Sequence, residues 1–456
     1  MTGARRPPRT DRGRLLLVLA LAAAVTAFTA TVPLLRDWFD LRVYHGSVDH
    51  WLRRGGALYD YRVPGTPYGF TYPPFAAVAM SPMALVGLPV AIALTLLLDL
   101  AALAVAVHVL TEGAWRRYGW YGCALGCCLL ALYEPLRDTL SFGQVNLLLL
   151  ALVLADARLL GTGRDRWAGA GIGLAAAVKL TPLVFVGLLL LARRWRAAAN
   201  ATAVTVAATA CAALVAPDAS RSYWTHALWD TSRVGRLDYV SNQSAQGVLA
   251  RLAEGEPSRA LWAVAVLGVL AGWAWRARRA AAAGDWQGAF ALTGLTACLV
   301  SPVTWVHHLV WLLPSFAVLL RAGRVRVAGA LYAVLCTSVV WLWADDASGI
   351  DGFLGSNAYA WITLGLLLWL PVRQTDVQRR VRSRSASAMA APPTAAAPAI
   401  AAVSGQPGPA SDAAAATGVA AGPGSALARG GTASEPTGST RPTAPNPQSS
   451  SARASS

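Results

Sequence analysis

Charged side chains, and lysine above all, are scarce in this chain. Charged residues occupy 14% of its 456 positions and hydrophobic residues 55%, whereas about a quarter of an average soluble domain is charged. Of the 39 basic residues, Lys179 alone is a lysine. So low a charged fraction disfavours a soluble protein and makes an integral membrane protein the first expectation.

Motifs that bind metals or nucleotides are also missing. No Asp-x-Asp occurs, and the one acid-x-acid pair is Glu254 and Glu256 in a loop, so a divalent-metal site is not indicated. Without a P-loop or a G-x-G-x-x-G, a nucleotide-sugar or ATP site has no support. The six cysteines lie in apolar stretches without metal-ligand spacing, and we expect them to be small buried residues. We therefore expect no metal and no cofactor.

Long apolar segments dominate the chain instead. About 10–12 stretches of roughly 17–25 residues are each long enough to cross a bilayer as a helix. The net charge of +16 comes from arginines that lie mostly between these stretches, which is typical of cytoplasmic loops rather than of a nucleic-acid surface. We predict an all-α polytopic membrane protein with about 10–12 transmembrane helices and no nucleic-acid partner.

The arginine distribution also predicts the arrangement of the chain. Residues 1–14 are expected to be a basic cytoplasmic N-terminus, and residues 15–372 the transmembrane domain. The loops 36–69 and 217–258 are expected on the extracytoplasmic side. Residues 379–456, rich in Ala, Pro, Ser and Thr, are expected to be a disordered cytoplasmic tail.

This orientation requires that two of the apolar stretches do not cross the membrane as single continuous helices. The basic loops of the first half fall in the cytoplasm only if residues 70–89 and 167–192 do not cross simply. Both contain internal prolines. We predict that they are broken or re-entrant helices, which are tolerated where they line a cavity inside the protein.

Two charged residues in apolar surroundings are the first site candidates. Asp40 directly follows the first apolar segment, where a carboxylate could serve as a general base; the alternative is an interfacial acid or a helix N-cap. Lys179 interrupts an apolar stretch three residues before Pro182. It is either a lysine that snorkels to the interface or a compact cation placed for a lipid phosphate, and we favour the second.

Amide and imidazole side chains are the next candidates. Gln144 and Asn146 open an apolar run, where they could line the site or serve as caps and contacts between helices. His307 and His308 begin a later apolar helix, and neighbouring residues of a helix point about 100° apart. One histidine at least is expected in the site, although a structural role is the alternative. Asn242-Gln243-Ser244 also fits a glycosylation pattern, as a weak signal.

Taken together, these motifs resemble a known family, the actinobacterial α-mannosyltransferases of glycosyltransferase family 87. The resemblance spans about residues 15–372 and is carried by Asp40-Leu-Arg-Val-Tyr44, Leu58-Tyr-Asp60, Phe70-Thr-Tyr-Pro-Pro-Phe75, Gly143-Gln-Val-Asn146, Val178-Lys-Leu-Thr-Pro182 and Ser301-Pro-Val-Thr-Trp-Val-His-His308. It implies a GT-C fold and a transferase that takes mannose from polyprenyl-phosphate-mannose. The implied acceptors are phosphatidylinositol mannosides or lipomannan-type glycolipids, extended by an α-1,2-mannose.

The resemblance also implies roles for particular residues. An aspartate of the first outer loop is the proposed base of the family and corresponds to Asp40. A histidine of the His-His motif is implicated, and both His307 and His308 remain candidates. An inverting transfer from a lipid phosphate needs one base and groups that stabilise the departing phosphate, for which Lys179 and a histidine are suited. Aromatic side chains are expected to form sugar-stacking walls: Tyr44, Tyr72, Trp305 and Trp311.

Three other functions stay open from the sequence. A transferase of the same fold could use another polyprenyl-phosphate sugar, such as arabinose. A multispanning transporter would also use broken helices and a buried lysine, but no internal repeat is found. A non-catalytic assembly partner would not need these polar residues on one side. The preferred expectation is a multi-pass enzyme of the bacterial plasma membrane, among membrane lipids, with an extracytoplasmic site and cytoplasmic termini.

Overall fold

The computed structural model describes residues 10–31, 37–113, 115–230, 233–253 and 257–373. These residues contain no β-strand and form the following α-helices: α1 Asp11–Thr31, α2 Phe39–Leu52, α3 Pro74–Met80, α4 Leu88–Leu110, α5 Trp115–Leu132, α6 Glu134–Phe142, α7 Asn146–Gly161, α8 Ala170–Val178, α9 Leu183–Leu191, α10 Trp195–Val215, α11 Pro217–Ser222, α12 Ala245–Leu252, α13 Arg259–Ala282, α14 Trp286–Val300, α15 Leu313–Arg321, α16 Val325–Cys336, α17 Gly349–Ser356 and α18 Ala358–Trp369. The predicted tail, residues 379–456, and most of the basic N-terminus lie outside the described residues.

Among the described residues, four helices are long and apolar enough to cross a membrane, α1, α4, α10 and α13, and the bent pair α6–α7 makes a fifth if it is counted as one span. The leucines and valines of the four long helices are largely exposed on the protein surface, as expected for helices whose outer faces contact lipid rather than water. Shorter apolar helices of 10–17 residues accompany them. The all-α membrane class predicted for a GT-C enzyme is confirmed; the number of crossings and their direction stay predictions.

Two inner helices form the centre of the bundle. In α14 almost every residue from Trp286 to Leu299 is buried, and this helix packs against α7, α9, α13, α15 and α18. Helix α7 is buried along most of its length between α4, α8 and α14. Because both helices are apolar on nearly all faces, they have no surface for water and occupy the interior.

Both predicted breaks are present. The first stretch ends its α-helix at Met80 and continues as the 3-10 turn Ser81–Leu85. In the second, α8 ends at Val178, Lys179 is extended with φ −147° and ψ 131°, and α9 begins at Leu183. Pro182 lacks an amide hydrogen and disfavours a helical residue before it, which accounts for the interruption at this point.

A third break was not predicted. Helices α6 and α7 meet at an angle of 118°, because Gly143 adopts the left-handed conformation with φ 68° and ψ 44° and ends α6. A glycine at this position ends helices without the steric cost that other residues incur. From the sequence, residues 144–146 were expected simply to open an apolar helix.

Helix α2 is a partly buried amphipathic helix rather than a candidate span. Its buried residues include Leu41, Tyr44 and Val48, which recur at helical spacing on one face. The helix contacts α3, α4 and α6. Asp40 lies in its first turn, so the packed face holds this carboxylate against the bundle.

The expectation for the cysteines was wrong in part. Cys298 is buried, whereas Cys127 and Cys211 are exposed and the other three are intermediate. The exposed two lie on α5 and α10, where an apolar side chain contributes to a lipid-facing surface without entering the core.

Candidate active site

A cavity of about 670 Å³ opens beside α2 and holds most of the predicted site residues. Its wall comes from the start of α2, the segment before α3, the α6–α7 junction, the α8–α9 break and the segment that leads into the 3-10 helix Val306–Leu312. Of the ten predicted residues, eight line it: Asp40, Tyr44, Tyr72, Gln144, Lys179, Trp305, His307 and His308. Asn146 lies directly behind this wall.

Asp40 is held by a side-chain amide from the α6–α7 junction. Gln144 Nε2 donates to Asp40 Oδ2 at 2.7 Å, and Tyr72 Oη donates to Gln144 Oε1 at 2.9 Å. Burial raises the pKa of Asp40 to about 6, against the lowering effects of the Gln144 hydrogen bond and of Lys179. The carboxyl group is therefore poised to exchange a proton near neutral pH, as a general base should be.

The left-handed Gly143 explains why Gln144 reaches Asp40. The sharp turn between α6 and α7 brings residues 144–146 against the start of α2 instead of continuing a helix. A Cβ atom on Gly143 would lie 2.8 Å from Leu41 Cβ. Glycine thus permits both the turn and the close approach to the residue that follows Asp40.

Lys179 reaches the same cavity from the break between α8 and α9. Its Nζ donates to Asn146 Oδ1 at 3.1 Å, lies 2.8 Å from His308 Nε2, and lies 5.1 Å from the centre of the Tyr72 ring. Asn146 Nδ2 in turn faces Gln144 Oε1 at 3.5 Å. One chain of polar contacts therefore joins Lys179 to Asp40 through two amide side chains.

The two histidines take different positions. His308 faces Lys179, and its Nδ1 accepts a hydrogen bond from the backbone N–H of Trp305 at 3.1 Å. His307 is 5% exposed, packs against Phe142 with the two ring planes tilted by 56°, and its Nε2 has no hydrogen-bond partner. Both line the cavity, but only His308 joins the Asp40–Lys179 chain.

A buried polar tripeptide fixes the segment that carries the histidines. Asn242, Gln243 and Ser244 are each 0% exposed. Asn242 Oδ1 accepts from the Thr304 N–H at 2.9 Å, and the Gln243 N–H donates to Thr304 O at 2.7 Å. Full burial excludes the glycosylation suggested by the N-x-S pattern and gives this tripeptide a positioning role.

The predicted aromatic walls are present in part. Tyr44 donates its hydroxyl to Tyr72 at 3.0 Å, and their rings lie 5.5 Å apart. Trp305 lies at the far side of the cavity, edge-on to Tyr239 at 6.0 Å. Trp311 instead packs in the core, where its ring centre lies 5.4 Å from that of Phe185. It lines no part of the large cavity, so the predicted stacking role of Trp311 does not fit.

Several cavity residues escaped the sequence analysis. Tyr239, Trp341 and Arg233 line the wall, and Trp341 Nε1 donates to the buried Glu134 at 2.7 Å. Arg233 lay unnoticed in a long mixed-charge loop, and its buried Nε has no partner. The sequence offered one signal for this part of the wall, the acid Glu134, which binds Trp341. It stands out because it lies two residues after an apolar segment in a chain with few charges.

No group of three or more His, Cys, Asp or Glu residues with metal-site geometry occurs in the described part of the chain. One cavity therefore holds the carboxylate of Asp40 together with the amine of Lys179 and the imidazole of His308, which contact each other. Such a site can take a proton from one group and stabilise negative charge that develops on another.

Comparison with known proteins places this membrane protein among the glycosyltransferases. The profile of glycosyltransferase family 87 matches residues 70–302. The chain belongs to this family, and it is an enzyme that transfers a sugar.

Two curated relatives extend the match over most of the chain. The polyprenol-phosphate-mannose-dependent alpha-(1-2)-phosphatidylinositol pentamannoside mannosyltransferase of Mycobacterium tuberculosis (strain CDC 1551 / Oshkosh) is 35% identical over 400 residues, which cover 82% of this chain and 91% of the relative. The polyprenol-phosphate-mannose-dependent alpha-(1-2)-phosphatidylinositol mannoside mannosyltransferase of Mycolicibacterium smegmatis is 36% identical over 359 residues, 74% of this chain and 73% of the relative. No solved structure matches the chain.

Proposed function

We propose that this protein moves mannose from polyprenyl-phosphate-mannose to a phosphatidylinositol mannoside or a related lipoglycan, with an α-1,2 linkage. The observation that carries the proposal is the convergence of Asp40 and Lys179 on one cavity, joined through Gln144 and Asn146. The donor and acceptor classes come from the names of relatives that cover most of the chain.

Asp40 is the base of the proposed reaction. It takes the proton from the acceptor hydroxyl while that oxygen attacks C1 of the mannose from the face opposite the phosphate. The bond between C1 and the phosphate oxygen breaks, and its electron pair stays on that oxygen. A β-linked donor gives an α-linked product in this single displacement, which needs one base rather than a pair of carboxylates.

Lys179 and His308 are the groups that meet the leaving phosphate. They are in contact with each other, and Asn146 links Lys179 to Gln144, the amide partner of Asp40. Donors fixed before the reaction stabilise developing negative charge without reorganisation at the moment of transfer. Tyr44, Tyr72 and Trp305 form the walls available to the sugar rings.

The proposed reaction needs no metal ion or cofactor. A phosphate leaving group already carries its charge stably, and Lys179 supplies the compensating cation. Transfer by the purified enzyme should therefore continue in excess EDTA at an unchanged rate. Loss of activity in EDTA, restored by a divalent ion, would contradict this part of the proposal.

We also propose that the site faces the extracytoplasmic side of the plasma membrane, with both termini in the cytoplasm. The asymmetry of the arginines supports this orientation. Asp60 and Arg196 are exposed and fall on opposite sides in this arrangement. A membrane-impermeant thiol reagent on intact cells should label Asp60→Cys and not Arg196→Cys, above the background of the native cysteines; the reverse pattern would invert the orientation.

The substrate assignment is tested with purified enzyme in liposomes. Labelled polyprenyl-phosphate-mannose and polyprenyl-phosphate-arabinose are compared as donors to a phosphatidylinositol mannoside, and the product is digested with an α-1,2-specific mannosidase. We expect transfer from the mannose donor alone and release of the label by the mannosidase. Transfer from the arabinose donor, or a product that resists digestion, would overturn the corresponding part of the assignment.

A further inference from the structure

The hydrogen on the His308 ring is fixed by a backbone amide. His308 is the third residue after Trp305, and its Nδ1 accepts the Trp305 N–H at 3.1 Å. In a capping box, a Glu side chain three residues after the N-cap accepts a hydrogen bond from the N-cap backbone N–H; here the His308 imidazole is that acceptor. A neutral imidazole carries one ring N–H. Since Nδ1 is an acceptor, the hydrogen is on Nε2.

That hydrogen faces Lys179 Nζ, which lies 2.8 Å from His308 Nε2. An ammonium group has three hydrogens and no lone pair, so it cannot accept a hydrogen bond. Two donors at this distance would repel each other. A neutral amine satisfies the contact, because its lone pair accepts from Nε2–H while one of its own hydrogens reaches Asn146 Oδ1 at 3.1 Å.

The orientation of Asn146 agrees with this hydrogen count. Its Nδ2 faces two acceptors, Gln144 Oε1 and the backbone oxygen of His307, each at 3.5 Å. Its Oδ1 is therefore the atom that faces Lys179. From the Trp305 amide onward, each group donates to the next, and the series ends with Gln144 donating to Asp40.

The remaining surroundings of Lys179 also suit an uncharged amine. The titratable groups that face it are Asp40 from α2, Tyr72 from the segment before α3, Cys298 from α14, and both histidines. Within the described residues no carboxylate forms an ion pair with Lys179. An unpaired cation in a membrane protein is costly, and a neutral resting state removes that cost.

We propose that Lys179 rests as a neutral amine bonded to His308 and takes up one proton when the donor phosphate binds. The proton comes from solvent and forms a new N–H bond at Nζ, while the phosphodiester keeps its single negative charge. The Nε2–H of His308 then loses its acceptor and becomes available to a phosphate oxygen. The inference rests on the proposed function, and it gives His308 a second role beside its contact with the phosphate: it controls the charge of Lys179.

Calorimetry can count the protons. A short-chain polyprenyl-phosphate-mannose is titrated into purified protein without acceptor, near neutral pH, in two buffers with different ionisation enthalpies. The phosphodiester does not titrate in this range, so the difference in binding heat reports protons taken up by the protein. We expect about one proton per donor bound in the wild type and nearly none in Lys179→Met. Donor binding without proton uptake by the wild type would overturn the inference.

A pair of variants isolates the amide that fixes His308. Trp305 has φ −66°, which proline adopts without strain. Trp305→Ala removes the ring and keeps the N–H; Trp305→Pro removes both. In the proline variant Nδ1 can carry the hydrogen and Nε2 can accept from an ammonium, so Lys179 is charged before the donor arrives.

Proton uptake should therefore fall towards zero in Trp305→Pro and stay at the wild-type value in Trp305→Ala. Equal uptake in the two variants would contradict the role of the amide. If the wild type binds no polyprenyl-phosphate-mannose at all, the proposed function fails as well, so the two failures can be told apart.

Discussion

Gln144 donates its side-chain amide to Asp40 at 2.7 Å although 104 positions separate the two residues in the chain. The contact depends on the turn at Gly143, which brings the start of α7 against the start of α2. It places a neutral donor on the carboxylate that we assign as the base. The predictions below follow from this contact and from the groups that extend it.

The pH dependence of transfer should show an acid limb set by Asp40. The pKa of this carboxyl is raised by burial to about 6, so the base form is lost as the pH falls through that value. The Gln144 hydrogen bond lowers the pKa. In Gln144→Leu the midpoint of the limb should therefore move to higher pH, measured as kcat against pH. An unchanged midpoint would show that Asp40 is not the titrating group.

The raised pKa of Asp40 also affects stability. Transfer activity should rise as the pH passes through this pKa, whereas the free energy of unfolding should fall. Between pH 3.8, the ordinary pKa of an aspartate, and about pH 6, the folded Asp40 carboxyl keeps its proton, whereas the unfolded one releases it. The contribution of Asp40 to the free energy of unfolding should therefore decrease as the pH rises through this window. Asp40→Asn should remove this part of the pH dependence in thermal unfolding in detergent; an identical pH profile for both proteins would contradict it.

Lys179→Met should weaken donor binding by about 10–100-fold, the effect of one lost hydrogen bond to a charged group. The thioether side chain has a similar length and no charge. The measurement is the dissociation constant for polyprenyl-phosphate-mannose in the absence of acceptor. Lys179→Arg supplies the positive charge of the donor-bound state and should recover part of the affinity. Wild-type affinity in Lys179→Met would remove the proposed phosphate role.

Gly143→Ala should lower kcat by misplacing Asp40. The new Cβ would lie 2.8 Å from Leu41 Cβ, and alanine at φ 68° costs about 1–2 kcal/mol. Gly126→Ala is the matched control, because nothing lies within 4 Å of the added Cβ. The control should keep wild-type turnover and melting temperature. Equal turnover in both variants would show that the α6–α7 turn does not position the base.

Asn242→Leu should destabilise the protein and reduce turnover. The change leaves the buried N–H groups of Thr304 and Ser244 without their acceptor, Asn242 Oδ1, at a cost of about 1–3 kcal/mol for each buried group left unpaired. The measurements are thermal unfolding in detergent and kcat. Asn200→Leu, which removes two hydrogen bonds outside the cavity wall, should keep kcat; equal kcat losses would argue against a specific positioning role for Asn242.

The sequence alone identified the residues whose charge is unexpected in apolar surroundings. Asp40, Lys179 and the histidines stand out because a membrane segment tolerates such groups only for a reason. The break around Lys179 was predictable as well, since Pro182 interrupts the helix.

Other parts of the site depend on three-dimensional contacts that a linear pattern does not contain. The left-handed conformation of Gly143 has no local signature distinct from that of a helix-end glycine. Tyr239 lies in a loop and Trp341 in the 3-10 helix Val339–Trp343, far apart in sequence, and their place in the cavity wall follows from packing. The roles of Asn242 and Ser244 were hidden because a buried hydrogen-bonding tripeptide and an exposed glycosylation site share one sequence pattern.

The central claim is that Asp40 takes the proton of the acceptor hydroxyl. The direct test measures donor affinity and single-turnover transfer of labelled mannose from polyprenyl-phosphate-mannose by wild type and Asp40→Asn, with the exposed Asp60→Asn as control. General-base catalysis accounts for about 100- to 10,000-fold, so transfer by Asp40→Asn should fall by that factor while donor affinity stays close to wild type and Asp60→Asn stays active. Near-full transfer by Asp40→Asn would contradict the account.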